Sequence, residues 1–361
     1  MFLRRLQEDY GIEGGVTDWM ESYLSNRSQF ININGTPSDK IRLEYGFPQG
    51  SKIGPFGFKL YTKPLAEIAA KHGVHLHLYA DDTQLYIPFD PQNSETAMLR
   101  LEACIAEIKS WMAKNYLKLN DDITEFIVFG TQNALRSVSE WTVSVGDVEV
   151  LPSRTVRNIG AMMDSALTMQ PHVHSVIKSC YVQMRNLSKI RKYLTEAAAK
   201  SLTHAFVSSR LDNMNSLLFD VPKELLKKLE LIQHQAARIV KKESKYCHIT
   251  PILQDLHWLP IQYRIQFKIL LLVYKSIHGE GPAYLASMLE EYRPSRHLRF
   301  AGQSRLVEPR VHRKYGERAF SVAGPRLWNE LPPHIKRLKT VPSFKSALKT
   351  HFFSKAFNVK K

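Results

Sequence analysis

Residues 75–89 read HLHLYADDTQLYIPF, and the other predicted elements are placed relative to this stretch. Two arms rich in β-prone residues, 74–80 and 83–89, flank the acidic pair Asp81 and Asp82. Aspartate favours turns because its short side chain bonds to its own backbone. β-prone runs on both sides of a turn former are typical of a hairpin. The stretch therefore predicts a β-hairpin with two carboxylates at its tip.

The acidic pair is a candidate metal site. Two carboxylates held close together repel each other unless a cation lies between them. Mg²⁺ is the hard cation that prefers oxygen ligands and substrate phosphates. Asp81 and Asp82 are therefore candidate Mg²⁺ ligands. For the dipeptide taken alone, a solvated turn is the alternative.

Short motifs stand in a fixed order around the hairpin. They are GFPQGS at 46–51, GP at 54–55, LKLN at 117–120, TEF at 124–126, VRNIG at 156–160, LD at 211–212, HWLP at 257–260 and AGPRLWN at 323–329. Tyr79-Ala80-Asp81-Asp82 between apolar arms resembles the catalytic hairpin of reverse transcriptases. The ordered set resembles the polymerase of non-LTR (LINE-type) retrotransposons, and the resemblance covers almost the whole chain.

The resemblance implies an α+β fold. We expect an incomplete reverse-transcriptase palm, an antiparallel sheet with packed helices, at 1–165. An α-helical thumb-like region is expected at 166–245. A basic C-terminal region, first helical and then irregular, is expected at 246–361. The sequence pattern agrees, because strand and helix patterns are mixed before residue 165 and long helical periods follow it.

Hydrophobic periodicity predicts the individual elements. Asn34-Gly35 between two alternating runs predicts a further hairpin. The predicted helices are two within 2–27, then 58–71, 95–116, 173–193, 195–209, 222–241 and 261–278. The predicted strands outside the hairpins are 125–129, 141–145 and 156–159.

The resemblance also implies an RNA-directed DNA polymerase, a nucleotidyltransferase that uses an RNA template, a DNA primer and Mg²⁺. Asp81 and Asp82 are then its catalytic residues and metal ligands. Gln49 and Gly50 are expected to contact the template or the nucleotide, and Tyr79 to lie beside the primer end. Glycine permits close backbone approach, and glutamine offers both a donor and an acceptor.

Departures from the family pattern predict a truncated chain that is inactive alone. Reverse transcriptases have a further aspartate on a strand that precedes the helix resembling 3–10, whereas Asp9 and Asp18 lie in helical patterns. Ile123 replaces a lysine thought to neutralise the leaving pyrophosphate, and Lys52 replaces a more usual apolar residue. The fingers and the upstream endonuclease are also expected to be missing. The alternative is a non-catalytic nucleic-acid-binding remnant or a helical interaction module.

Positive charge is concentrated near the C-terminus. The formal net charge is +16, and residues 291–361 hold 17 Lys and Arg against 4 Asp and Glu. Such charge suggests a polyanionic partner, so we expect nucleic acid to bind the basic C-terminal region. An ordinary solvated basic surface is the alternative. Aromatic residues there could stack on bases, but for Phe320 and Trp328 we expect a small core.

Composition argues against several other classes of protein. Three widely spaced cysteines predict a reducing compartment and no disulfide framework. No apolar run of roughly 18 residues and no signal-peptide pattern is present. We therefore expect an intracellular protein, in the nucleus or cytoplasm, with no membrane partner. His75 and His77 share a strand face without a third zinc ligand, so we expect them to serve packing.

Overall fold

The computed structural model describes residues 1–48, 50–136, 141–293, 304–311 and 315–358. The chain divides into a first unit, Met1–Phe126 with Arg136–Pro152, and a second unit, Ile127–Leu135 with Ser153–Lys361. Helices are mixed with small antiparallel sheets. None of the described helices combines the length and the apolar character that crossing a membrane requires.

The elements follow one another along both units. The α-helices of the described residues are α1 (Phe2–Glu8), α2 (Gly15–Leu24), α3 (Gly54–Thr62), α4 (Pro64–Lys71), α5 (Ser94–Lys114), α6 (Gln132–Arg136), α7 (Gln170–Ile190), α8 (Glu196–Thr203), α9 (Ser209–Asp212), α10 (Lys223–Lys241), α11 (Ile249–Leu256), α12 (Ile261–Ile277), α13 (Ala283–Ala286), α14 (Phe320–Glu330), α15 (Pro333–Lys336) and α16 (Val341–Phe357). The β-strands are β1 (Arg27–Gln29), β2 (Asn32–Ile33), β3 (Thr36–Pro37), β4 (Ile41–Leu43), β5 (His75–Tyr79), β6 (Asp82–Tyr86), β7 (Val143–Val145), β8 (Val148–Val150), β9 (Thr155–Asn158) and β10 (Ala161–Asp164).

The described strands form small sheets rather than one large sheet. They pair as five separate antiparallel ribbons: β1 with β4, β2 with β3, β5 with β6, β7 with β8, and β9 with β10. The antiparallel pairing was predicted. A single multi-stranded sheet, as the expected palm would have, is not formed by the strands of the described ranges.

The hairpin predicted around Asn34-Gly35 is confirmed. β2 and β3 pair Ile33 with Thr36 across the turn, and β1 and β4 extend the same hairpin. Asn34 and Gly35 have φ angles of 51° and 89°. A tight type I′ turn needs positive φ at both central residues, which asparagine and glycine tolerate best.

The core of the first unit is built around α5. Leu101, Cys104 and Ile108 recur at three- and four-residue steps and are buried, as an amphipathic helix requires. They join one apolar cluster with residues of α4, β5, β7 and β8. The helix predicted at 95–116 is therefore confirmed as α5.

Two predicted elements differ in the structure. The helix predicted at 58–71 is split into α3 and α4 at Pro64, because proline has no N–H to continue the helical hydrogen bonds. The strand predicted at 125–129 is reduced to an isolated bridge between Phe126 and Pro152. Proline removes a ladder donor, so the pairing does not extend from this bridge.

The second unit is mainly helical and has its own core. α7, α10, α12, α14 and α16 all contribute to one buried cluster. Leu225, Leu229, Ile232, Ala236 and Val240 line the buried face of α10 at helical spacing. The helices predicted at 173–193, 222–241 and 261–278 are confirmed as α7, α10 and α12.

The helix predicted at 195–209 is present in two parts. Thr195 caps α8, and its Oγ1 accepts a hydrogen bond from the Ala198 N–H at 3.2 Å. The helix then widens into one π-helical turn at His204–Ser208 before α9.

The C-terminal region is more helical than predicted, so the expectation of irregular structure was wrong for α14, α15 and α16. Pro333 and Pro342 lie in the first turns of α15 and α16. N–H groups of a first turn have no helical partner, so proline loses nothing there. Pro325 lies inside α14 and is buried. Pro325, Pro333 and Pro342 therefore lie within helices or in their first turns rather than in loops.

Aromatic residues of α12, α14 and α16 form the centre of this core. The Tyr274 and Phe344 rings stack at 4.1 Å, and Trp328 lies 6.1 Å from Phe344. The Trp328 indole N–H donates to the Ser304 carbonyl at 2.8 Å. Phe320 packs against the same cluster. Trp328 and Phe320 are core residues, as predicted, but they belong to the large core of the second unit and not to a small core of their own.

Candidate functional site

The β5–β6 hairpin carries the acidic pair, as predicted. Its register ends with Tyr79 opposite Asp82, so only Ala80 and Asp81 connect the strands. Ala80 adopts a φ of 55°, a left-handed conformation that is uncommon for a residue with a Cβ atom. Asp81 therefore lies in the turn, and Asp82 is the first residue of β6.

The tip of this hairpin faces solvent. Asp81 and Asp82 are both exposed, and the Tyr79 side chain is 61% exposed. The two residues are neighbours in the chain, and the exposure of both side chains leaves the tip open to solvent. The pair can attract a cation, but it does not desolvate one.

The hairpin offers fewer ligands than a two-metal site needs. β5 and β6 pair only with each other among the described strands. The described residues also contain no group of three or more His, Cys, Asp and Glu side chains that could hold a metal ion. Sites with two Mg²⁺ ions clamp both oxygens of an in-line displacement, and two carboxylates are too few for that task. The side chains of the described ranges therefore do not fit a complete two-metal centre.

The other acidic residues considered from the sequence lie at the ends of helices. Asp9 is the C-terminal cap of α1, and Asp18 lies in the first turn of α2. A carboxylate in a first turn interacts favourably with the helix dipole. Both positions agree with the helical contexts predicted for them, and neither belongs to a metal-binding group in the described ranges.

The loop before α3 is described in part. Gln49, a predicted template or nucleotide contact, lies outside the described residues. Gly50 has a φ of 79°, and a Cβ atom there would meet nothing within 4 Å. Glycine is therefore favoured at position 50 by backbone conformation and not by lack of space. The Ser51 hydroxyl accepts a hydrogen bond from the Gly54 N–H at 2.9 Å, at the start of α3.

Position 57 requires a glycine, which the sequence patterns did not predict. A Cβ atom at Gly57 would lie 2.4 Å from the Phe47 ring, which packs directly on the backbone of α3. The same ring meets Phe2 edge-on at 5.2 Å between centroids. Phe47 thus anchors the loop to α1 and α3. The spacing of Gly54 and Gly57 on one helical face was the available signal.

The histidines of β5 pack on a tyrosine. His75 and Tyr86 are directly opposite in the register, and their rings stack at 4.9 Å. His77 lies on the same face, 6.0 Å from the Tyr86 ring. This arrangement agrees with the packing role predicted for both histidines.

A cluster around Arg5 was also missed. The Arg5 guanidinium lies 4.6 Å from the Tyr61 ring and 5.0 Å from the Trp111 ring. It donates to the Tyr61 carbonyl at 2.7 Å and to the Asn115 side-chain oxygen. The Tyr61 hydroxyl donates to the Asn115 carbonyl at 2.8 Å. The cluster fastens α1 to α3 and α5, and its members are too far apart in sequence to form a motif.

Position 123, in the short turn after α5, carries no charge. Ile123 ends a 3₁₀ turn and is 74% exposed, so it offers neither charge nor packing. Lys109 of α5 bonds to the Asp121 carboxylate at 2.5 Å in the same turn. Its charge is therefore neutralised locally and does not replace a lysine at position 123.

Comparison with known proteins finds similarity to reverse transcriptases. Residues 7–163 match the family profile described as "Reverse transcriptase (RNA-dependent DNA polymerase)". The chain is also similar to the "Probable RNA-directed DNA polymerase from transposon BS" of Drosophila melanogaster, with 23% identity over 257 residues. The aligned part covers 68% of this chain and 28% of that protein, so the chain spans little more than a quarter of the relative's length.

Proposed function

From the reverse transcriptase match over residues 7–163, we propose that this chain is part of a LINE-type retrotransposon reverse transcriptase, an RNA-directed DNA polymerase. Residues 1–165 belong to the palm, 166–245 to a thumb-like region and 246–361 to a basic C-terminal region. The observation that carries the proposal is the β5–β6 hairpin, which displays Asp81 and Asp82 at an open tip.

The binding residues follow from the same proposal. Gln49 and Gly50 contact the template or the incoming nucleotide, and the open backbone at Gly50 supports this assignment. Tyr79 precedes the turn in β5, and its 61% exposed side chain is available to a primer end. RNA template and DNA primer are therefore the partners that we propose for the first unit.

We also propose that residues 1–361 do not polymerise by themselves. The proposal rests on the metal fit, because Asp81 and Asp82 have no third carboxylate beside them in the described residues. The uncharged Ile123 supports it. Both edges of the β5–β6 ribbon lack strand partners in the described ranges, and such an edge can accept an added strand. A carboxylate on that strand would complete the site.

Primer extension on an RNA template with Mg²⁺ tests the proposal directly. We expect no nucleotide incorporation by residues 1–361, because one side of the metal site is missing. The matched control is Asp81→Asn, which removes one charge from the exposed tip and should leave the background signal unchanged. Incorporation by the chain that disappears in Asp81→Asn would contradict the proposed inactivity and would establish the hairpin as catalytic.

A non-catalytic role in binding nucleic acid is the second candidate. The observation that favours it is the row of exposed basic residues on α16, which includes Lys345 and Lys349. These residues belong to the basic C-terminal region, of which 294–303, 312–314 and 359–361 lie outside the described residues. Binding of duplex DNA by this region requires no metal site.

A further inference from the structure

A cleft lies beside the last turns of α7 and α10, wholly within the second unit. Its volume is about 690 Å³, a size typical of ligand sites. Leu231 and Ile239 give it an apolar lining, and charged side chains surround them. We call it the α7–α10 cleft.

α10 has a second face besides the one that packs in the core. Residues of this second face line the cleft at steps of four, three and four positions: Leu231, Gln235, Arg238 and Lys242. Side chains at such steps lie in one row along a helix. From Leu231 to Lys242 the row is about 16 Å long, or roughly three helical turns. The cleft therefore offers a long line of contact and not a single point.

Leu231 is the apolar side chain that this face leaves open. It is 55% exposed, whereas Leu225 and Leu229 of the same helix are 6% and 1% exposed. Ile239 lies two turns further along α10 and is half-buried. A partner that covers both side chains removes apolar surface from water, which favours binding. The lining therefore matches a ligand that carries apolar side chains of its own.

Three lysines of this cleft carry uncompensated charge. Lys192, Lys242 and Lys245 line it, and none of them forms an ion pair within the described part of the chain. Lys241 provides a contrast, because it contacts the carboxylates of Glu196 and Asp255 at 2.7 Å each. The cleft lysines therefore remain available to the carboxylates of a ligand.

Two guanidinium groups of the cleft already use their donors inside the protein. Arg191 is buried and donates to the carbonyls of Ile239 at 2.8 Å and Leu194 at 2.7 Å. The Nε and Nη2 groups of Arg238 both donate to the Cys247 carbonyl. Carbonyl dipoles do not cancel a full charge, so both groups attract an anion. Neither presents the unoccupied fork that grips a phosphate in two places.

We propose that the α7–α10 cleft binds an acidic amphipathic helix of a partner protein. Its apolar side chains lie on Leu231 and Ile239, and its carboxylates lie at Lys192, Lys242 and Lys245. An amphipathic helix in an apolar groove is a common mode of peptide recognition, and charge complementarity makes this helix acidic.

A nucleic-acid strand matches the cleft less well. It would satisfy the lysines and leave the Leu231 side chain without an apolar partner. The described lining residues also include no aromatic ring on which a base could stack. The proposed site goes beyond polymerisation, because it needs neither Asp81 nor a template.

The test is fluorescence anisotropy with the whole chain and a labelled peptide of about 14 residues, roughly four helical turns. Leucines recur in this peptide at three- and four-residue steps, and glutamates flank them. The comparison peptide has the same composition in scrambled order, so it keeps the charge and loses the apolar face. We expect the amphipathic peptide to bind about tenfold more tightly than the scrambled one.

Substitutions then assign the binding to the cleft. We expect Leu231→Ala to weaken binding of the amphipathic peptide about tenfold, whereas Leu231→Met keeps an apolar side chain of similar volume and most of the affinity. We expect Lys242→Gln/Lys245→Gln to weaken binding about tenfold and to make it less sensitive to salt.

The matched control is Lys345→Gln/Lys349→Gln, which removes the same charge from exposed positions of α16 that do not line the cleft. We expect this variant to bind the peptide almost as well as the wild type. Thermal unfolding of each variant separates a binding role of the cleft residues from a role in stability.

Binding that depends on the apolar face of the peptide, on Leu231 and on the cleft lysines supports the proposal. Absence of binding, equal binding of the scrambled peptide, or equal affinity in the cleft-lysine variant and the α16 control overturns it. A labelled oligothymidylate that binds more tightly than the peptide, depends on Lys242 and Lys245 and is unaffected by Leu231→Ala would assign the cleft to nucleic acid and also overturn it. The result is independent of primer extension, because no step of that reaction enters this assay.

Discussion

Single residues in the first unit show how closely the loop before α3 is held. The Phe47 ring occupies the space that any side chain at Gly57 would need. A glycine can be required for packing or for backbone conformation, and these demands can be told apart by substitution. Gly15, at the start of α2, has neither demand, because its φ is ordinary and a Cβ atom there meets nothing within 4 Å.

We expect Gly57→Ala to destabilise the chain by about 1–3 kcal/mol, because the new methyl group would displace the Phe47 ring. Gly15→Ala is the matched control and should be neutral or stabilising by about 0.4–1 kcal/mol, since alanine reduces the freedom of the unfolded chain. Urea unfolding measures both. An equal effect of the two substitutions would show that the ring moves aside at no cost.

Lys336 is an unusual residue in the second unit, because it is a buried lysine without a carboxylate partner in the described ranges. It is 6% exposed, and its ammonium donates to the Asn329 carbonyl at 3.3 Å. It also lies 5.9 Å from the centroid of the Trp328 ring. Burial, with a smaller contribution from Arg305, lowers the pKa of Lys336 from 10.5 to about 8.

The lowered pKa predicts that the free-energy cost of burying the Lys336 side chain depends on pH. Between pH 8 and 10.5 the unfolded chain binds more protons than the folded chain, so the contribution of Lys336 to the free energy of unfolding rises with pH in that window. Below pH 8 both states are protonated and the full cost of burying the charge applies. The change across the window is on the order of 3 kcal/mol.

We therefore expect Lys336→Met to increase stability most below pH 8, relative to the wild type, and to lose that advantage as the pH approaches 10.5. Denaturant unfolding of both proteins across the pH range measures the difference. Lys339→Met is the control, because Lys339 is exposed and nearby in the sequence. A difference between the Lys336→Met variant and wild type that stays constant with pH would contradict the lowered pKa.

At the scale of elements, caps and turns set where helices begin. Thr195 supplies the first hydrogen bond of α8, and Thr340 does the same for α16 through the Ser343 N–H at 3.4 Å. Each side-chain oxygen satisfies an N–H group that has no partner inside the helix. Thr195 is exposed, so its cap can be tested with little change in packing.

We expect Thr195→Ala to lower the free energy of unfolding by about 1 kcal/mol, because the Ala198 N–H loses its acceptor. Thr195→Ser keeps the oxygen and should cost only a few tenths of a kcal/mol. The urea midpoint of each variant measures the effect. A serine variant as unstable as the alanine variant would assign the role of Thr195 to its methyl group.

Sequence patterns identified the elements whose signals are local. The 3.6-residue period marked α5, α7, α10 and α12, and Asn34-Gly35 marked a turn. The strand predicted at 125–129 did not form because the segment opposite it contains Pro152. The alternation of apolar residues within 125–129 gives no information about that opposite segment. The C-terminal helices were missed because prolines at first-turn positions look like breakers until the helix that follows them is known.

In the candidate site, too, local features were predictable from the sequence and contacts between distant residues were not. The acidic hairpin could be read from 75–89, since two β-prone arms and a turn former are neighbours in the chain. Contacts between distant residues could not be read, and these include Phe47 on Gly57 and Arg5 between Tyr61 and Trp111. Such contacts depend on which helix faces meet, and no spacing in a single sequence encodes that.

At the scale of the whole molecule, the uneven distribution of charge is the dominant property. Residues 291–361 carry most of the net charge of +16. The described part of this region includes α16, where Lys345 and Lys349 are exposed four residues apart and therefore share a helical face. This face is a sequence-independent candidate for contact with duplex phosphates.

We expect Lys345→Gln/Lys349→Gln to weaken binding of duplex DNA and to lower the slope of log K against log salt by roughly 1.8, because each phosphate contact releases a counterion. Titration of labelled duplex at several salt concentrations measures the slope. Lys223→Gln/Lys227→Gln, which removes the same charge from the start of α10, serves as the control. A slope that neither pair of substitutions changes would exclude α16 as a phosphate-binding face.

The separate two-stranded ribbons have a consequence for how the chain is made. The widest strand pairing in the described residues joins Arg27 to Leu43, and the β5–β6 ribbon spans only His75 to Tyr86. Closing such short loops costs little chain entropy, and isolated hairpins form in about 1–10 μs. Ribosomal synthesis adds residues far more slowly, at about 5–20 per second. The two arms of the acidic hairpin can therefore pair on the nascent polypeptide as soon as the second arm has emerged, and the pairing becomes stable once α5 packs against it. Both steps precede translation of the helices of the second unit.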